Sequence, residues 1–261
     1  DICKEEFLKS EPDIFNNPYV RAFSNDVVLK RMSKLRVTAK KMDNAYFLDN
    51  AIHICFGIHD KDGNYSVWAG TTMQSIVENT KAPIVFHILH DDTLNEMNKN
   101  KLSLIADNSG NGIEFHHFNP DIFGSLADSM NRFTIGTMFR IMLPDIMPDL
   151  KKIIYLDSDL FVNTDIEELW NLNIDNYCLA AAQDCSTIRN WGTPYAVAAG
   201  QTSRDRYFNA GVLCMNLDNI RKNGSLFQQV MDYLNDNPRT WLPDQDALNS
   251  IFSGETLLRQ L

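Results

Sequence analysis

From residue 51 onward, short apolar runs alternate with stretches in which apolar positions recur every three or four residues. The first kind reads as buried strand and the second as amphipathic helix. The pattern predicts a strand over Ile52–Ile58 and a helix over Ser66–Asn79, with Trp68, Met73, Ile76 and Val77 as its apolar positions. A strand over Pro83–Leu89, a helix over Thr93–Ala106 and a strand over Gly112–Phe118 follow. Helical segments near 121–130 and 134–142 precede a strand over 152–157. Further strands are expected near 177–183 and 210–216, and helices near 218–235 and 244–252. Strand–helix alternation of this kind points to an α/β fold, a mostly parallel sheet covered by helices on both faces. Its crossover connections are expected to be right-handed.

Residues 1–50 lack strand signals and carry Pro12 and Pro18. They are read as a helical N-terminal appendage to the domain 51–261. Lys30, Arg31, Lys34, Arg36, Lys40 and Lys41 give that appendage a basic stripe. A solvated helix face is the plainer reading, and a docking surface for a polyanion or a membrane is the alternative. Between Asp184 and Asn209 no period is visible. Loops of that length are often lids or binding loops, and Trp191, Tyr195, Tyr207 and Phe208 are expected to offer aromatic surface there.

Composition narrows the function. Apolar residues make up 44% of the 261 positions, enough for a substantial core, and the net charge of −10 argues against non-specific nucleic-acid binding. The five cysteines form no CxxC pair, which speaks against a disulfide framework or a zinc ribbon; Cys55 and Cys214 lie in strand-like runs and read as core. A reducing, cytoplasmic setting is the default. No Walker A, GxGxxG or GxSxG sequence occurs. The six histidines all lie between 53 and 117; His53 and His87 read as strand core, and the His116–His117 doublet by itself is weak evidence for a metal.

The chemistry concentrates in Ile153-Ile154-Tyr155-Leu156-Asp157-Ser158-Asp159. If the strand runs through 159, both carboxylates point the same way at its C-terminal end, where open α/β sheets bind ligands. Carboxylates so close repel unless a proton or cation lies between them; Mg²⁺ or Mn²⁺, shared with substrate phosphates, is the natural partner. Four other places have a plain and a chemical reading. Phe208-Asn209-Ala210-Gly211 is a turn before a strand, or a close-approach surface with Asn209 facing sugar hydroxyls. Asp244-Gln245-Asp246 caps a helix, or carries chemistry. Arg140, in an otherwise apolar helix, snorkels to solvent, or is drawn inward by carboxylates; snorkelling is the simpler expectation. His59, Asp60, Asn64 and Tyr65, after Gly57, are a polar loop or a base-recognition site.

Taken in order over about residues 51–256, these pieces resemble glycosyltransferase family 8, the group that includes glycogenin and bacterial lipopolysaccharide galactosyl- and glucosyltransferases. The resemblance implies a Rossmann-like GT-A fold. It implies retaining transfer of glucose or galactose from a UDP-sugar to a saccharide, lipopolysaccharide or glycoprotein acceptor, with Mn²⁺ (or Mg²⁺) as cofactor. Asp157 and Asp159 would ligate the metal, with Ser158 between them. Arg140, Asn209, Ala210 and Asp244 would surround the donor sugar, Gln245 its anomeric carbon, and Asp184 the donor or acceptor sugar. Gly57, His59, Asn64 and Tyr65 would surround the uridine. Such an enzyme would act in the cytoplasm, with peripheral attachment to the inner membrane face left open. Two departures stand out. Lys61-Asp62-Gly63 intervenes where the family runs an acidic pair directly into Asn-Tyr. No His follows His117 to match the downstream HxxGxxKPW-like motif that supplies a third metal ligand, so the expectation is that this C-terminal segment lies outside the chain. A non-catalytic module that binds sugar nucleotides or glycans is the alternative.

Overall fold

The computed structural model describes residues 50–123, 135–184 and 192–259. Strands β1 (Ile52–Ile58), β2 (Ile84–His90) and β3 (Gly112–His117) alternate with helices α1 (Asn64–Asn79) and α2 (Glu96–Ser109). A 3-10 helix over Ile135–Met142 runs into the short α3 (Leu143–Ile146) and then β4 (Lys152–Leu156). There follow α4 (Glu167–Trp170), β5 (Leu179–Gln183), α5 (Tyr195–Ala198), β6 (Phe208–Asn216), α6 (Leu217–Lys222), α7 (Leu226–Asp236), α8 (Pro243–Ile251) and β7 (Thr256–Arg259). The seven strands form one sheet in the order β3-β2-β1-β4-β6-β5-β7. All pairs are parallel except those of β6, which runs against both β4 and β5. Its reversal delivers the start of β6 to the C-terminal end of β4, where Val212 lies opposite Leu156.

The central strands are buried on both faces. One face packs Ile54, Phe56, Phe86 and Ile154 against Met73 and Ile76 of α1 and Leu102 of α2. The other packs Cys55, Leu89, Tyr155 and Leu213 against the 3-10 helix and against α7 and α8. This double coverage is why β1 and β2 read as nearly unbroken apolar runs rather than alternating ones. Cys55 and Cys214 are fully buried, as expected of core thiols. Helix α2 opens on Asn95, whose side chain accepts from the Asn98 N–H, and closes on Gly110 at φ 73°.

Several expectations need correction. The segment near 134–142 is a 3-10 helix, and the Nε of Arg140 takes the Thr137 carbonyl three residues back. Strand β4 ends at Leu156 rather than 157 or beyond. Asp157 still donates its N–H to the Gly211 carbonyl, but the hydroxyl of Thr72 on α1 then bonds the Ser158 carbonyl and accepts from the Leu160 N–H, turning the chain toward α1. The helix expected over 218–235 is two helices, because Gly224 adopts φ 95° between them and Ser225 caps the second. Trp68 sits on the outer side of α1, 42% exposed. Tyr207 and Phe208, expected as surface, are fully buried. Helix α4 and strand β7 are additional elements. The helical appendage expected over 1–50 lies outside the described residues apart from Asn50. So do Trp191 and, beyond Phe123, most of the helix expected near 121–130.

Candidate active site

At the C-terminal end of β4 a single buried guanidinium draws the candidate residues together. Arg140 does not snorkel: it is 2% exposed and points into the protein. Its Nη2 donates to Asp157 Oδ1 at 2.8 Å, and its Nε lies 3.2 Å from Asp244 Oδ2. Its Nη1 donates to the Ala210 carbonyl, and the guanidinium lies over the Tyr155 ring, 4.4 Å from the centroid. Burial works against its charge, but Asp157 and Asp244 outweigh that penalty and hold it firmly ionised. Asp244 is the complementary case. Burial raises its carboxyl, with Arg140 opposing and the charge of Asp157 adding to the rise.

Next to this pair lies a neutral anchor. The Oε1 of Gln245 accepts from the Ala210 N–H at 3.0 Å, while its Nε2 donates to Asp184 Oδ2 at 2.8 Å and to the Tyr207 hydroxyl at 3.2 Å. Both ends of the carboxamide are engaged, so its orientation is set. The Tyr207 hydroxyl donates to Asp246 Oδ1, whose other oxygen accepts from Thr240. Asp246 is wholly buried, and its role exceeds complementing the dipole of α8. The side chain of Asn249, one turn further along α8, accepts from the Phe208 N–H and donates to the Phe208 carbonyl, both at 2.8 Å. It thereby pins the start of β6 to α8. Asn209, at that start, is exposed, and its Oδ1 accepts from the Gly211 N–H at 2.8 Å.

Gly211 has a clear steric reason. A Cβ there would lie 2.5 Å from Asp157 Oδ2. The close approach that the sequence suggested for a ligand is made by the carboxylate itself. Asp159, in the turn beyond, is solvent-exposed. Partial desolvation raises its carboxyl, and the neighbouring Asp157 charge raises it further. Two oxygen donors with mutual repulsion, one anchored by Arg140 and one open to solvent, fit a hard divalent cation. Asp157 and Asp159 are the residues that could hold it.

The residues expected around a base gather at the end of β1. Gly57 packs tightly on the 3-10 helix, where an added Cβ would lie 2.6 Å from the Gly136 carbonyl. The Nδ1 of His59 lies 2.5 Å from Asp91 Oδ2, and Thr93 bonds the other oxygen. Burial alone would raise the Asp91 carboxyl, but these bonds hold it below the ordinary range. Asp60 is committed to structure: it accepts from the Ser66 N–H in the first turn of α1 and from Asn98 on α2. Asn64 is exposed at the start of α1, and Tyr65 meets Trp68 edge-on at 5.0 Å. The structure thus joins Arg140, Asp157, Asp244, Ala210, Gln245 and Asp184 directly. It leaves His59, Asn64 and Tyr65 as a separate group, with Gly57 between the two. Tyr155, Thr240, Asn249 and Asp91 belong to this framework and were not singled out from sequence, while Tyr207 was expected only as surface. For Asp91 and Asn249 no local pattern announces the role.

The chain is similar to known proteins in both sequence and fold. The family model for glycosyl transferase family 8 matches residues 54–258. A putative glycosyltransferase of Haemophilus influenzae is 31% identical over 199 residues, which is 76% of this chain and 59% of that protein. The lipopolysaccharide 1,2-glucosyltransferase of Escherichia coli is 22% identical over 209 residues, 79% of this chain and 60% of that protein. This chain therefore spans about three fifths of the length of these curated relatives. The structure of the galactosyltransferase LgtC in complex with donor and acceptor sugar analogs superposes with a TM-score of 0.68 at 26% identity, covering 79% of this chain and 73% of that one. Another LgtC structure is of an active-site mutant with glutamine replaced by glutamate. The sheet, the helices and these likenesses agree on a GT-A fold, and the chain belongs to glycosyl transferase family 8.

Proposed function

We propose that this chain is a retaining glycosyltransferase that moves a hexose, glucose or galactose, from a UDP-sugar to a saccharide or glycoconjugate acceptor. The observation that carries the reading is the buried Arg140 tying Asp157 and Asp244 together at the end of β4, with Gln245 fixed beside them. The names of its relatives, a glucosyltransferase and a galactosyltransferase with donor and acceptor analogs, support hexose transfer. In this reading Asp157 and Asp159 hold Mn²⁺ or Mg²⁺, which would stabilise the charge that develops on the departing diphosphate.

The rest of the chemistry is assigned to side chains. Arg140 sets Asp157 and Asp244 in place beside the donor sugar. Asp244 and Asn209 take sugar hydroxyls. Gln245 lies near the reacting carbon; LgtC also has a glutamine in its active site. Its carboxamide is a weak nucleophile, so front-face displacement through an oxocarbenium-like state suits it better than a covalent intermediate. Asp184, bonded to Gln245, borders the donor or acceptor sugar. His59, Asn64 and Tyr65 frame the base.

Calorimetric titration of UDP with and without Mn²⁺, in the unaltered chain and in Asp159→Asn, tests this reading. Metal-dependent binding that Asp159→Asn abolishes is the expected result, followed by donor hydrolysis or transfer in a UDP-hexose screen. Equal UDP binding with or without metal in both proteins would refute the metal assignment, and absence of any UDP binding would refute the donor.

A further inference from the structure

Three strands away from the acidic pair, the outer strands carry a second constellation that the transfer reaction does not use. His87 on β2 and Glu114 and His116 on β3 lie on the same face of the sheet, because His87 pairs with Glu114 and Leu89 with His116. The Nδ1 of His87 is 3.1 Å from the Nε2 of His116. Glu114 Oε2 lies 3.4 Å from the first and 3.6 Å from the second. Ligands about 2.0–2.1 Å from a tetrahedral Zn²⁺ stand about 3.4 Å apart. The three atoms therefore describe one face of such a tetrahedron.

The surroundings suit the same chemistry. The His87 side chain is 4% exposed, whereas Glu114 and His116 are 49% and 30% exposed. One ligand is thus anchored in the core, and a fourth position faces water. Behind it, the Nδ1 of His53 lies 2.9 Å from the Nε2 of His87, and the two rings stack with centroids 5.2 Å apart. A hydrogen bond on the far nitrogen of a metal-binding imidazole sets its tautomer and leaves the near nitrogen a free lone pair. A neutral imidazole is the form that ligates.

We propose that His87, Glu114 and His116 bind one Zn²⁺ ion, with water in the fourth position, independently of the donor site. Two imidazoles and a carboxylate suit a borderline transition metal and not the hard cation proposed for Asp157 and Asp159. Strands β2 and β1 lie between β3 and β4, so about 10–14 Å of sheet separates the two sites at ordinary strand spacing. The ion would tie β3 to β2. Since β3 is paired on one side only among the described residues, zinc would act as a cross-strand staple at the limit of the sheet.

The test uses the full chain, stripped with chelator and titrated with Co²⁺ as a spectroscopic substitute for zinc, followed by Zn²⁺ competition. The expected result is one equivalent of Co²⁺ with intense tetrahedral absorption, displaced by Zn²⁺ and unchanged in Asp159→Asn. His116→Asn is expected to abolish the band, and Glu114→Gln, half exposed and therefore safe for folding, to weaken binding by at least about tenfold. Zn²⁺ should raise the unfolding temperature of the unaltered chain and not that of His116→Asn. No tetrahedral band in the unaltered chain would overturn the proposal. So would a band that survives both His116→Asn and Glu114→Gln, or one that disappears in Asp159→Asn.

Discussion

Replacing Gly211 by alanine tests whether the carboxylate of Asp157 depends on the missing side chain beside it. The new Cβ would stand 2.5 Å from Asp157 Oδ2, 3.2 Å from its Cγ and 3.0 Å from Asn209 Oδ1. Ordinary contact begins near 3.4 Å, so the carboxylate must retreat by about 0.9 Å. It has little freedom to do so: its Oδ1 is bonded to Arg140 at 2.8 Å, and its own N–H is bonded to the Gly211 carbonyl at 2.8 Å. Overpacking of this kind costs about 1–3 kcal/mol. A displacement near 1 Å in a positioned group costs on the order of 10²-fold in rate. Gly211→Ala is therefore expected to melt a few degrees lower and to lose about 10²-fold in donor turnover. A double-mutant cycle with Asp157→Ala locates the cause. With the carboxylate removed, Gly211→Ala should be close to neutral for stability, so that the coupling equals most of its single-mutant cost. Urea unfolding of the four proteins gives that number. An additive cycle, or full turnover in Gly211→Ala, would refute the steric argument.

Other substitutions probe the framework around it. Arg140→Met leaves Asp244, whose side chain is 9% exposed, without its cation, and is expected to cost about 3–5 kcal/mol; adding Asp244→Asn should restore a large part, as read by urea unfolding. Asn249→Leu removes both partners of the buried Phe208 backbone and should cost about 2 kcal/mol or more, with protection against hydrogen exchange lost first at the start of β6. Asp91 has a folded pKa below the ordinary 3.8, so its contribution is complete above that value and is lost as pH falls from there through the lower folded pKa. Asp91→Asn should accordingly lower stability at neutral pH and flatten its decline below about pH 4, which melting curves across pH will show.

The strands were legible because burial on both faces writes a run of Ile, Val and Phe that few other environments would tolerate; β1 spans the residues its pattern predicted. The acidic pair was legible because it sits at the end of such a run. What escaped depends on partners distant in sequence. Nothing local distinguishes an arginine snorkelling from an apolar helix from one held by Asp157 and Asp244, and only the folded sheet brings those carboxylates to it. Tyr207 and Phe208 follow a polar loop and looked like surface, yet Asn249 and Asp246 of α8 cover them. The break at Gly224 does have a local signal: Asn-Gly-Ser within a helical period is a stop followed by a new cap. Strand β7, four residues long, is defined by its pairing with β5 more than by its own composition.

The reversed strand β6 also sets a timetable for biosynthesis. Between the emergence of β4 from the ribosome and that of β6, β4 can pair with β1 but has nothing on its other side, since its second partner is still missing. At about 5–20 residues per second that interval lasts about 3–10 s. Throughout it, Ile153, Ile154 and Tyr155, all buried in the finished protein, belong to a strand with open backbone groups, the form most prone to capture by a neighbouring chain. The fold that sets Asp157 against Gly211 thus leaves the newborn chain vulnerable between the emergence of β4 and that of β6, and shielding by a chaperone would matter in that window.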